Sequence, residues 1–108
     1  MKLISVPLTR EAMHRLNYNQ CIPGDLEELE LDDDVYREIW STNFFDVINR
    51  ELGKNIDDYE DESICDHNQL NRLLNIISRY IHIHVFFREL YSLVKTALNS
   101  NTGIFFFF

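Results

Sequence analysis

The stretch Asp66–Asn101, DHNQLNRLLNIISRYIHIHVFFRELYSLVKTALNSN, decides how the rest of the chain is read. It contains neither Gly nor Pro. Leu70, Ile77, Tyr91 and Leu98 recur at multiples of seven, Leu73, Tyr80, Phe87 and Val94 form a second row of the same period, and Ile76, Ile83, Leu90 and Ala97 flank them. Asn71, Asn75, Ser78, Glu89, Ser92 and Thr96 take the opposite side. Apolar positions repeating at the helical period predict one long, largely buried helix, or two helices meeting near residues 80–86. Ile81-His82-Ile83-His84-Val85 alternates as a strand does, but the helical register continues on both sides of it and is preferred.

Downstream, Thr102-Gly103 ends the helical run, and Ile104 with Phe105–Phe108 closes the sequence. Four consecutive Phe residues invite aggregation if exposed, so a strand covered by helices is expected there. Its partner is Leu3-Ile4-Ser5-Val6, an apolar β-rich run ended by Pro7. The two terminal strands then form a small sheet, with their relative direction open.

Between these ends, Thr9 caps a helix from Arg10 to about Asn17, and Pro23-Gly24 marks a loop. Asp25 opens an acidic stretch in which Leu26, Leu29 and Leu31 face inward. Asp32, Asp33 and Asp34 supply carboxylates at the start of a helix bearing Val35, Tyr36, Ile39 and Trp40, where the exposed amides and the helix dipole favour negative charge. Asn43 is placed to cap a helix from Phe44 to Leu52 that stops at Gly53, and Lys54–Cys65 reads as a polar loop. The expected architecture is therefore a helix-rich α+β fold, with four to five helices and a small sheet from the N- and C-terminal strands, in a single domain over residues 1–108.

Charge is the most informative remaining feature. The 108 residues carry 18 acids against 10 bases, a net charge of −8. Residues 1–24 are net positive and so are residues 67–108, so the whole excess lies in residues 25–66, which hold sixteen acids against Arg37, Arg50 and Lys54. Two clusters dominate: Asp25–Glu38 and Asp57–Asp66. A surface of this sign repels phosphates, so direct nucleic-acid binding is not expected. No apolar run approaches the length of a membrane span, and the start of the sequence has no signal-peptide core. Cys21 and Cys65 cannot make a disulfide framework, so a cytoplasmic location without membrane attachment is expected.

The candidate chemistry is thin. His82 and His84 point about 200° apart on a helix, so they share an ion only if that segment is a strand. Cys65-x-His67 has no second pair at zinc-finger spacing. His84 on the apolar stripe reads as a core histidine bonded to a neighbour. In Asp57-Asp58-Tyr59-Glu60-Asp61-Glu62, Tyr59 occupies the third ligand position of a calcium loop and Glu62 the position of its turn Gly, so the calcium pattern fails twice. With 18 acids, some carboxylate pair always looks suitable for hydrolysis, so the pairing carries no information. There is no nucleophile motif and no Gly-rich phosphate loop. The expectation is a protein that is not an enzyme, with no cofactor, no metal and no catalytic residue.

A charge run is usually a solvated face, but concentrating it in one third of a folded chain adds self-repulsion that an even spread would avoid. This favours a binding surface made of Asp32, Asp33, Asp34, Asp57, Asp58, Tyr59, Glu60, Asp61 and Glu62, with Tyr36 and Trp40 as nearby aromatic anchors. The complementary partner is a basic protein. In size, acidity and lack of a catalytic motif, the chain resembles the small immunity proteins of bacterial toxin–immunity pairs, including those of contact-dependent inhibition systems. The resemblance covers the whole chain as a profile and carries no residue correspondence. It implies tight binding to a cognate toxin, often a basic nuclease whose active-site cleft is blocked. The alternative from another class is a nucleic-acid mimic or regulatory adaptor that inhibits a DNA-binding protein, which needs carboxylates spaced like phosphates along an extended face.

Overall fold

In the computed structural model, which describes residues 2–108, the order along the chain is β1 (Lys2–Pro7), α1 (Arg10–Asn17), β2 (Leu26–Leu31), α2 (Asp33–Ser41), α3 (Phe44–Leu52), β3 (Glu62–Ile64), α4 (His67–Ser78), α5 (Val85–Ser100) and β4 (Ile104–Phe107). The fold is helix-rich α+β, and its strands form one antiparallel sheet in the order β2-β1-β4-β3. The terminal strands pair as expected, and they run antiparallel.

Register decides which side chains meet. Ile4 lies opposite both Leu29 and Phe106, and Ile64 lies opposite Ile104, so these residues share one face of the sheet with Val6 and Leu31. That face is the core side: Ile4, Val6, Ile64 and Ile104 are fully buried and cluster with Ile39 of α2, Phe44, Phe45 and Ile48 of α3, Leu70 and Leu73 of α4, and Phe87, Leu90 and Val94 of α5. Aromatic edges tie the layer together, with Phe44 meeting Phe87 at 4.9 Å and Phe45 meeting Phe106 at 6.5 Å between ring centroids. The helices cover one face of β4, burying Phe106. Phe105 and Phe107 lie on the opposite face, partly buried and stacked at 6.2 Å.

Local signals set several boundaries. Thr9 Oγ1 accepts from the Ala12 N–H, Asp32 Oδ1 accepts from the Val35 N–H, and Gly53 stops α3 in the left-handed region at φ 65°. Elsewhere the structure departs from the sequence expectation. The acidic stretch Leu26–Leu31 is an edge strand, with Leu29 and Leu31 on the core face as expected, but Leu26 on the opposite face with the solvated Glu28 and Glu30, because strand side chains alternate. The expected loop at 54–65 contains β3, which is only three residues long and too short to show a period. The sheet therefore has two more strands than expected.

The 66–101 run is two helices, and His82 lies in neither a helix nor a strand. The chain turns at residues 79–83, where the Ile83 N–H bonds the Tyr80 carbonyl at 2.9 Å. His84 then starts α5, its Nδ1 accepting from the Phe86 N–H at 3.0 Å and its Nε2 lying 3.0 Å from Glu38 Oε2. Asn43 makes no side-chain cap. It adopts φ 62°, and its Oδ1 accepts from the Tyr80 hydroxyl, while the Phe44 N–H bonds Thr42 Oγ1. The helix α5 ends on Asn101 in the left-handed region, not on Thr102-Gly103. Gly103 serves strand packing instead. A Cβ there would fall 2.4 Å from Cys65 Sγ and 2.9 Å from the Ile64 carbonyl, so only glycine lets β4 enter the sheet beside β3.

The face assignment has a direct test. Phe106→Ala should lower the unfolding free energy by about 3–5 kcal/mol in a denaturant titration, and Phe107→Ala by less than half of that.

Candidate functional site

The strand directions bring the two acidic segments together. Lys2 at the start of β1 lies opposite Leu31 at the end of β2, Leu3 lies opposite Phe107 near the end of β4, and Phe106 lies opposite Glu62 at the start of β3. All four points are at one end of the sheet. Asp32–Asp34 follow β2 there and Asp57–Asp61 lead into β3 there. These are the two edge strands, three strand spacings or about 14 Å apart, with Lys2 between them.

Lys2 and Tyr36 hold the centre of this end. The Tyr36 hydroxyl donates a hydrogen bond to Asp58 Oδ1, and Lys2 Nζ stands 3.4 Å from the same carboxylate oxygen and 4.9 Å from the Tyr36 ring centroid. Lys2 Nζ also donates to the Phe108 carbonyl at 2.7 Å. Burial, and then the neighbouring Asp58, push the Tyr36 hydroxyl up to about 12. The Tyr36 hydroxyl bond, and then Lys2, hold Asp58 below the usual carboxylate range. Beside them, Tyr36, Arg37 and Trp40 of α2 face Asp57, Asp58 and Tyr59 across an open groove of about 390 Å³.

The nine expected binding residues divide into two groups by what the fold asks of them. Asp32 caps α2, Asp34 pairs with Arg37, and Asp57 Oδ1 accepts from the Tyr59 and Glu60 amides to close the loop. Asp58 is held by Tyr36 and Lys2, and Glu62 accepts from the Asn55 and Ser63 amides. Asp33, Tyr59, Glu60 and Asp61 have no side-chain hydrogen bond or ion pair among the described residues, and Tyr59 is 91% exposed. Those four are free to meet a partner without breaking the fold. Of the two expected anchors, Tyr36 is buried and uses its hydroxyl internally, while Trp40 is only partly covered.

Asp25, in the first acidic cluster, is not at this site. It follows the α1–β2 loop, where Arg15 grips it in a fork, Nε to Oδ2 at 2.8 Å and Nη2 to Oδ1 at 2.6 Å, and the Ile22 N–H adds a third bond. This clasp fixes the loop to α1. Arg15, and then the Ile22 amide, hold the Asp25 carboxyl down at about 2.

Among the described residues, no group of three or more His, Cys, Asp or Glu is placed to hold a metal ion. His84 has both ring nitrogens engaged, on Phe86 and Glu38. Lys2 is the central residue that sequence reasoning passed over. Nothing local ties position 2 to position 58, and the β1–β4 and β4–β3 pairings together bring them into reach. No helix of the described residues is long and apolar enough to cross a membrane. No protein-family model, no curated protein and no solved structure matches the chain.

The Asp25 clasp makes a signed prediction. A carboxyl whose pKa is lower in the folded state than in the unfolded one adds stability above the ordinary value of 3.8 and loses it as pH falls toward about 2. Unfolding titrations should show stability falling through that window, with a shallower fall in Asp25→Asn. An unchanged slope in the variant would contradict the assignment.

Proposed function

We propose that this chain is a non-catalytic acidic binding protein that neutralises a basic protein partner, acting as an immunity protein toward a nuclease-type toxin. The observation that supports this reading best is the convergence of Asp32–Asp34 and Asp57–Asp61 on one end of the sheet, from segments separated by all of α2 and α3. Solubility needs no such focusing. Like charges gathered at one end raise the local potential and speed encounter with a basic surface, by a factor that falls with salt.

In this mechanism Asp33, Glu60 and Asp61 face lysines and arginines that otherwise hold a nucleic-acid phosphate, and Tyr59 and Trp40 supply aromatic surface beside them. The carboxylates already committed to the fold keep the backbone of the patch in place. Lys2, seated between Asp58 and the Tyr36 ring, shows that a cation is accommodated at this end by a carboxylate and an aromatic face together. A nucleic-acid mimic needs one long row of phosphate-like charges, and here the free carboxylates come from two separate edges.

The test is capture from the native host lysate at moderate salt, followed by assay of the retained protein. One basic partner, inhibited at one-to-one stoichiometry, is the expected result. Many basic proteins that wash off together, or competition by duplex DNA for several unrelated partners, would defeat the reading. With the partner in hand, the triple change Asp33→Lys, Glu60→Lys and Asp61→Lys should slow association about ten-fold or more. Glu11→Lys, on α1 beyond the other end of β1, should change it less than about two-fold. Equal effects would reduce the acidic end to a solubility device.

A further inference from the structure

The strand β2 is an edge, with β1 its one neighbour among the described residues. Its backbone polarity follows from a single bond. The Leu8 N–H donates to the Asp25 carbonyl at 2.8 Å, one step beyond the Pro7–Leu26 pair, and antiparallel ladders alternate bonded and non-bonded pairs. Glu27, Leu29 and Leu31 therefore turn their backbone groups to β1, and Leu26, Glu28 and Glu30 turn theirs outward. Pro7, which has no N–H, falls opposite Leu26 at a non-bonded pair, as this alternation requires.

Edges of this kind are normally blunted by proline, lysine, a bulge or a covering segment. This one pairs residue for residue with β1 over its whole length and contains only Leu and Glu. Its protection is charge of one sign. A second copy added edge to edge would bring Glu27, Glu28 and Glu30 of one copy close to the glutamates of the other, which is unfavourable. A basic strand meets the opposite situation.

On the helix side, a groove of about 330 Å³ runs along the edge, lined by Glu27, Leu29, Arg88, Glu89, Ser92 and Leu93. A recess of about 160 Å³ shares Leu29 and Glu89 with it and continues to Val85, which is 60% exposed. Acids outnumber Arg88 here, and apolar floor alternates with them. A strand with alternating apolar and basic side chains would set its apolar row against Leu29 and Leu93 on this side and its basic row beside Glu28 and Glu30 on the other face.

We propose that the β2 edge accepts an extended segment of a basic partner protein as a fifth strand. Its main chain bonds Leu26, Glu28 and Glu30, and alternate side chains settle in the groove against α5. The inference rests on the reading of the chain as a binder of a basic protein and adds the mode of engagement. A strand laid along β2 arrives at Asp32–Asp34, where β2 ends, so one partner reaches both features.

The probe is a short acetylated and amidated peptide of alternating Lys and Val, added to isotopically labelled full-length protein and followed by amide shifts and hydrogen exchange. Exchange at the outward Glu28 and Glu30 amides should slow about ten-fold or more, with shifts along Leu26–Leu31 and Arg88–Leu93. The same peptide with N-methyl groups on its ladder-facing amides should lose the protection. Shifts confined to Asp32–Asp34 and Asp57–Asp61, unchanged by N-methylation, would overturn strand addition and leave the acidic-end reading standing. Absence of binding at both places would overturn strand addition, with the broader reading still judged by partner capture. Protection of Glu28 and Glu30 that grows with protein concentration in the absence of peptide would assign the edge to a second copy and overturn the proposal.

Discussion

The pairing of β1 with β4 is the constraint on which the rest of the molecule depends. It joins residues 2–7 to residues 104–107, and it places β1 in the middle of the sheet with β2 on its other side. With β2 paired antiparallel to β1 and β3 antiparallel to β4 on either side of it, the four strand directions are fixed, and with them the meeting of Lys2, Asp58 and the end of β2. The chemistry of β4 suits the role. Ile104 and Phe106 anchor the core face, and Gly103 lets the strand pass close to Cys65 and the Ile64 carbonyl. Thr102, buried, donates its hydroxyl to the Pro7 carbonyl at 2.7 Å and satisfies a group that proline's neighbours leave open.

Electrostatics then builds on topology. Gathering carboxylates at one end of a small sheet costs repulsion, and the fold offsets part of it with local bonds. Asp32 meets a helix N-terminus, Asp34 meets Arg37, Asp57 meets loop amides, and Asp58 meets Tyr36 and Lys2. What remains unpaired is Asp33 on one side, and Glu60 and Asp61 next to the exposed Tyr59 on the other. The division separates carboxylates that hold the surface in shape from carboxylates that present charge. The same sign of charge on the β2 edge guards it against its own copy.

Much of the fold was legible because its signals are local. Thr9 ahead of Arg10–Asn17, the Asp32 cap ahead of Val35 and Gly53 after Leu52 each act within one helical turn, and the structure uses all three. The apolar repeat of 66–101 was legible as helix, and a join near residues 80–86 was one of its two readings, but nothing in the repeat chose between one helix and two. Tyr80 and Ile83 keep the repeat through the turn, and the residue that caps α5 is His84, an uncommon cap whose identity gives no warning. The strand β2 was hidden by its glutamates, since an edge strand with one solvated face looks like any acidic stretch. The strand β3 was hidden by its length.

The acidic end was half legible. Composition located both clusters, but their meeting is a property of strand order, and Lys2 enters only through that order. The measurement that tests the account most directly is zero-length carbodiimide cross-linking of the partner complex, which joins carboxylates to lysines in contact, with the linked peptides mapped by mass spectrometry. Links from both segments, through Asp33 and through Glu60 or Asp61, to one basic surface of the same partner are the predicted result. Links from one segment only, or from carboxylates remote from this end such as Glu11, would contradict it.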